Sequence, residues 1–194
     1  MKAIYLKELR LTRKMMMIWG ALIDIFTGFA AIEFVVLKDT LAELAEAMDS
    51  YPKIVSVLFG LNGVRVDTAL GGYQCMVFWN NLLAYFFAGF LGVYAVAREE
   101  KFGTSEFLFS KPFRRSRVVW AKIWAAVTNL AIFSLTVGVM TFLCIILPLG
   151  DMNVVGTHIT ITFGMFLTQI VLFAIGLLIS SAVKNYKTAS LFTT

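Results

Sequence analysis

The sequence predicts an all-α fold, a polytopic transmembrane helix bundle, and three observations predict it. Of the 194 residues 59% are hydrophobic and only 15% charged, with a mean hydropathy of +0.81. A water-soluble domain keeps roughly a quarter of its residues charged to hold a hydrated surface, whereas lipid-facing positions stay apolar. The apolar residues are also gathered into four stretches, 15–37, 74–97, 118–147 and 160–183. Each meets the ~20 residues a helix needs to cross the hydrocarbon. The third is longer than needed, which predicts tilt or a start outside the bilayer. Finally, basic residues alternate from side to side. With the N-terminus inside, only Lys38, Lys53 and Arg65 of the 17 Lys and Arg lie outside, against Asp39, Glu43, Glu46, Asp49, Asp67 and Asp151. The positive-inside rule then places both termini in the cytoplasm of a multi-pass cell-membrane protein.

Taken in order, residues 2–14 intersperse Ile4, Leu6, Leu9 and Leu11 with basic residues. That pattern predicts an interfacial helix lying on the inner leaflet. The first span has no small-residue cleavage site, so it stays as an anchor. All four tryptophans, Trp19, Trp79, Trp120 and Trp124, fall near span ends, as in an aromatic belt. In the first outer loop, Thr40 and Glu43 form a capping-box pattern. Leu41, Leu44, Ala45 and Met48 follow on one helical face. Pro52 ends that helix, and residues 54–61 predict a second short one. One membrane domain, residues 1–194, accounts for the whole pattern.

Enzyme signatures are missing. There is no G-x-x-x-x-G-K-[ST] phosphate loop, no H-E-x-x-H and no G-x-S-x-G. Cys75 and Cys144 are far apart, and His158 is the one histidine. No metal site and no cofactor follow from so few ligands, and the reading is that the chain is not an enzyme.

The loop between the second and third spans is the most informative segment. Thr104 can cap a short helix with Glu106 in its first turn, and Lys111 before Pro112 resists helical geometry. Among its charges stand Phe102, Phe107, Leu108, Phe109 and Phe113. So many aromatics outside the hydrocarbon need a covering surface. From physics alone that surface is either a docked cytoplasmic partner or the headgroup layer.

The residues Glu99, Glu100, Gly103, Thr104, Glu106, Ser110, Pro112, Arg115 and Lys122 resemble the loop of type-2 ATP-binding-cassette (ABC) exporter permeases. That loop runs approximately E-E-x-x-G-T-x-E-x-L-x-S-x-P-x-S-R, with a lysine opening the next span. Pro52, Phe59-Gly60 and Gly72-Tyr73 add weaker likenesses. The resemblance implies a membrane-spanning permease subunit whose loop, Phe107 included, is a coupling helix seated in a groove of a separate cytoplasmic ABC ATPase. A second permease subunit, identical or not, would complete the pathway. Arg114 departs from the pattern, standing where the family has Ser or Thr. The family usually has six spans, so the four here, with 188–194 reading as the approach to a fifth, predict a chain incomplete at its C-terminus. The rival reading is a non-transport membrane protein: a sensor, an immunity factor or an assembly subunit.

Two further features are weighed inside the bilayer. Asp24 lies about 13 Å into the first span at 1.5 Å per residue. It is either part of a polar transport path or a carboxyl paired with a neighbouring helix. Asn80, Asn81 and Gln169 read as interhelical hydrogen-bonding groups. Ala84, Ala88 and Gly92 recur every fourth residue and allow close helix approach, to another span of this chain or to a second copy.

Overall fold

The computed structural model describes residues 2–36, 40–58, 65, 67–101, 115–150 and 153–182. Among them no strand forms. The elements are α1 (Lys2–Val36), α2 (Leu41–Asp49), α3 (Lys53–Leu58), α4 (Ala69–Lys101), α5 (Arg115–Thr141) and α6 (Val154–Ala182). Four of the helices are long and apolar enough to cross a membrane. Along α1, Ile18, Ile25, Phe29 and Ile32 are each more than 60% exposed. A face of this kind has no place in water but is normal against lipid.

One boundary differs from the sequence reading in kind. The leader is not a separate helix, because residues 2–36 form one uninterrupted helix of 35 residues. No proline or glycine separates Lys14 from the span, so nothing breaks the ladder there. At 1.5 Å per residue α1 is about 52 Å long, well beyond a single hydrocarbon thickness of ~30 Å.

α5 continues through a π-helical turn (Phe142–Ile146) and a last α-turn (Leu147–Leu149). There the Leu147 N–H reaches back to the Phe142 carbonyl, five residues earlier. Pro148 explains the widening: it has no N–H to offer, and its ring crowds the carbonyl four residues before it. Gly150, at φ 68°, then closes the helix in the left-handed region that favours glycine.

α6 begins six residues before the predicted 160, because Val154 and His158 are buried core positions rather than loop. The short helices α2 and α3 lie where the pattern put them. Thr40 is the N-cap of α2 but makes no side-chain capping bond. Its backbone is already helical, whereas the capping bond needs an extended residue. Ala45 is buried while Leu44 is 46% exposed, so the predicted apolar face of α2 is only partly covered. Arg65 ties the loop together, bonding Asp49 at 2.7 Å and Asp67 at 3.3 Å. Thr68 caps α4, accepting a bond from the Gly71 N–H at 3.0 Å.

The chain divides into two compact units. One comprises Met1–Trp19, Ala84–Ser134 and Gly164–Thr194; the other comprises Gly20–Leu83 and Leu135–Phe163. In the first, Phe87 stacks on Phe133 with ring centroids 4.2 Å apart, and Trp19 leans on Phe87 and Phe90. α4 and α6 run parallel through this unit. The Gln169 side chain reaches the Ala84 carbonyl at 3.4 Å and the Ser180 hydroxyl donates to the Val93 carbonyl at 3.0 Å. Parallel packing is what alternating topology requires of the second and fourth spans.

The second unit is centred on Tyr73, Val77, Ile145, Ile146 and Val154. Buried within it, the His158 Nε2 lies 3.1 Å from the Gly138 carbonyl and Nδ1 lies 2.8 Å from the Tyr73 hydroxyl. A carbonyl only accepts, so Nε2 carries the proton. In the neutral ring the Tyr73 hydroxyl then donates to Nδ1. Tyr73→Phe is expected to leave that nitrogen buried and unsatisfied, costing about 1–3 kcal/mol. A fall in melting temperature in detergent, absent from the control Ile159→Val at a position 63% exposed, is the check.

Candidate functional site

The loop that carries most of the sequence-predicted contacts, with Gly103, Thr104, Glu106, Phe107, Ser110 and Pro112, lies outside the described residues, as do residues 188–194. Its two supports are described. Glu99 and Glu100 fall in the last turn of α4, and Arg115 opens α5. Lys122, one to two turns into α5, is buried, and its ammonium donates to the Ala95 carbonyl of α4 at 2.6 Å. The helices entering and leaving the loop are thus tied together by one of the residues that the loop pattern singles out.

The same unit holds a contact that the sequence reading did not assign. Arg98, four residues before the loop begins at 102, donates through Nη2 to both carboxylate oxygens of Glu8, each at 2.9 Å. Both side chains are only 8% exposed. The guanidinium also lies 5.4 Å from the centroid of the Tyr94 ring, one turn earlier on α4, which adds a cation–π attraction. Its Nη1 is buried with no hydrogen-bond partner among the described residues. A pair out of water is held by charge-assisted hydrogen bonds, and losing either member strands the other.

Glu8 is one of three contacts on one face of α1. Tyr5 donates to the Thr128 hydroxyl at 3.0 Å, and the Asn129 amide donates to the Thr12 hydroxyl. The spacing 5, 8, 12 puts the three residues on one helical stripe. The Thr12 hydroxyl in turn donates to the Glu8 carbonyl at 2.9 Å. The leader therefore packs on α4 and α5. A signal for this was present: Glu8 is the sole acid before Asp24, set among five basic residues.

The small-residue stripe lies in this unit too. Ala84 and Ala88 are fully buried. A Cβ added to Gly92 would fall on the Phe173 carbonyl oxygen and within 2.9 Å of the Leu177 nitrogen of α6. Gly176 answers it, since a Cβ there would come within 2.5 Å of the Gly89 carbonyl. Gln169, wholly buried, accepts a bond from the Ser134 hydroxyl at 2.7 Å.

Asp24 belongs to the other unit. Its Oδ1 is buried without a hydrogen-bond partner among the described residues. On the same helix the Thr27 hydroxyl accepts from the Asn80 amide at 2.8 Å and donates to the Ile23 carbonyl. Cys75 and Cys144 are free thiols, and no three His, Cys, Asp or Glu side chains converge among the described residues.

The chain matches the family described as ABC-2 family transporter protein over residues 2–194. No curated protein and no solved structure is significantly similar to it. The match spans nearly the whole chain, all four membrane-length helices included, and the protein belongs to the ABC-2 transporter family, as a multi-pass membrane permease component.

Proposed function

We propose that this chain is the membrane-spanning permease subunit of an ABC exporter, moving substrate out across the cell membrane with ATP hydrolysed by a separate cytoplasmic ATPase subunit. It works as one membrane domain, with both termini in the cytoplasm and a second permease subunit completing the pathway. The segment around Glu99, Glu100, Gly103, Thr104, Glu106, Phe107, Ser110 and Pro112 acts as its coupling helix, with Arg115 and Lys122 anchoring the return into α5. The observation that carries this reading is the loop pattern itself, present in a chain of the ABC-2 family. ATP binding on the partner moves the loop and biases the bundle between two states, which is coupling between distinct sites in the thermodynamic sense.

The experiment is copurification of the chain with candidate ABC ATPase subunits of its own organism, followed by Glu106→Ala and Phe107→Ala. Weaker assembly, or ATP hydrolysis that no longer responds to the permease, is the expected result. Assembly and hydrolysis both unchanged would refute the coupling role. A chain that binds no ATPase would return the non-transport reading.

A further inference from the structure

We infer that Asp24 and Asn80 form a binding site for a lipophilic amine, a cation that carries its own N–H donors on an apolar body. The inference rests on the transport reading above and deepens it by naming the class of cargo. It starts from what these side chains lack. Among the described residues four buried side-chain polar atoms have no hydrogen-bond partner, and three of them are the oxygens Asp24 Oδ1, Gln74 Oε1 and Asn80 Oδ1. All three lie in the unit of residues 20–83 and 135–163. Buried polar groups are nearly always paired, so acceptors left open together in apolar surroundings mark a place for donors.

The orientation of Asn80 is fixed by its neighbour. The Thr27 hydroxyl has one proton and donates it to the Ile23 carbonyl at 2.8 Å. Toward Asn80 it can only accept, so the amide nitrogen faces it, at 2.8 Å, and Oδ1 is left open. Asn80 is 1% exposed and Thr27 fully buried, so bulk water does not supply the missing donor. Asp24 stands one turn from Thr27 on α1, which sets its carboxylate on the same side of the helix. Gln74 lies six residues from Asn80, about 9 Å nearer the start of α4, and offers a further open acceptor in the same unit.

Charge then selects among donors. A carboxylate in hydrocarbon needs a counter-charge, and Asp24 makes no ion pair among the described residues. A hard metal ion takes about six or more oxygens, whereas no three His, Cys, Asp or Glu side chains converge among the described residues. An ammonium needs only its charge matched and its N–H bonds accepted, which one carboxylate and one amide oxygen provide. Asp24 is half-buried and so can be reached. Close to it on α1, Ile25 and Phe29 are exposed and give an apolar body a surface to lie on.

The test uses the full chain in lipid nanodiscs, with dansylcadaverine, a fluorescent primary amine, as the probe and empty nanodiscs as the blank. Saturable binding is expected, displaced by dodecylamine but not by dodecyltrimethylammonium, which has the same charge and chain but no N–H. Asp24→Asn and Asn80→Leu are each expected to weaken binding at least about tenfold, the loss of one hydrogen bond to a charged group. Asp24→Glu keeps the charge and is expected to retain binding. Should Asn80→Leu fail to accumulate, the nearly isosteric Asp24→Asn decides alone. Unchanged affinity in Asp24→Asn, equal displacement by the two competitors, or displacement by sodium or potassium chloride in place of dodecylamine overturns the amine site. So does an absence of saturable binding. These outcomes leave the transport reading standing, because the measurement uses no ATPase. That reading fails instead on assembly with the ATPase, which leaves the measured affinities untouched.

Discussion

Gly92→Leu is expected to prevent accumulation of folded protein. The Cβ alone would clash with the Phe173 carbonyl oxygen, with Leu177 N and Gly176 Cα within 3.1 Å. Because what it meets is backbone of α6, no side-chain rotation relieves the clash, and α4 must part from α6. Overpacking against movable side chains costs about 1–3 kcal/mol, and this case lies at or beyond the upper end. Separation would also stretch the bonds from Gln169 to Ala84 and from Ser180 to Val93. Gly164→Ala is the matched control, because a Cβ there meets nothing within 4 Å. It is expected to be neutral or to stabilise α6 by about 0.5–1 kcal/mol, the ordinary gain of Ala over Gly within a helix. Gel filtration of heated, detergent-solubilised protein separates the two outcomes. Equal yields and melting temperatures would mean that the glycine contact does not hold these helices together.

The second large effect is at the buried ion pair. Arg98→Leu leaves the Glu8 carboxylate buried with no counter-charge, at an expected cost of about 3–5 kcal/mol. The double variant Glu8→Leu with Arg98→Leu should recover much of that loss, because no stranded charge remains and two apolar side chains pack in its place. Single costs that do not add are the mark of residues in direct contact. Melting of the two single variants and the double variant gives the coupling directly. Simple additivity would show that the pair is not formed in the membrane.

The periodic, one-dimensional features of this protein were legible in its sequence. Hydropathy places four spans because the cost of exposing apolar residues to water sums over a contiguous window, whatever the neighbours are. The short helices α2 and α3 and the break at Pro52 were visible for the same local reason. The family was visible as well, since the loop pattern of Glu99 to Pro112 is a string of neighbouring residues. What windows misjudge is any polar residue that finds a distant partner. His158 looked like loop and is core, because Tyr73 and Gly138 satisfy both its nitrogens. Glu8 stood in a leader read as an interfacial helix and is buried, because Arg98 meets it.

From the sequence by itself came the class of the molecule, its spans and its kinship with the ABC-2 transporters. These rest on composition and on charges counted along the chain, so no partner needs to be known. Tertiary structure alone decided that the leader continues into the first helix and that Gly92 faces Gly176. It also showed that the helices bearing the loop are bonded to α1 through Glu8, Thr12 and Tyr5. The physical reason is that desolvation, ion pairing and backbone contact depend on which residues meet across tens of positions, a quantity that no local pattern carries.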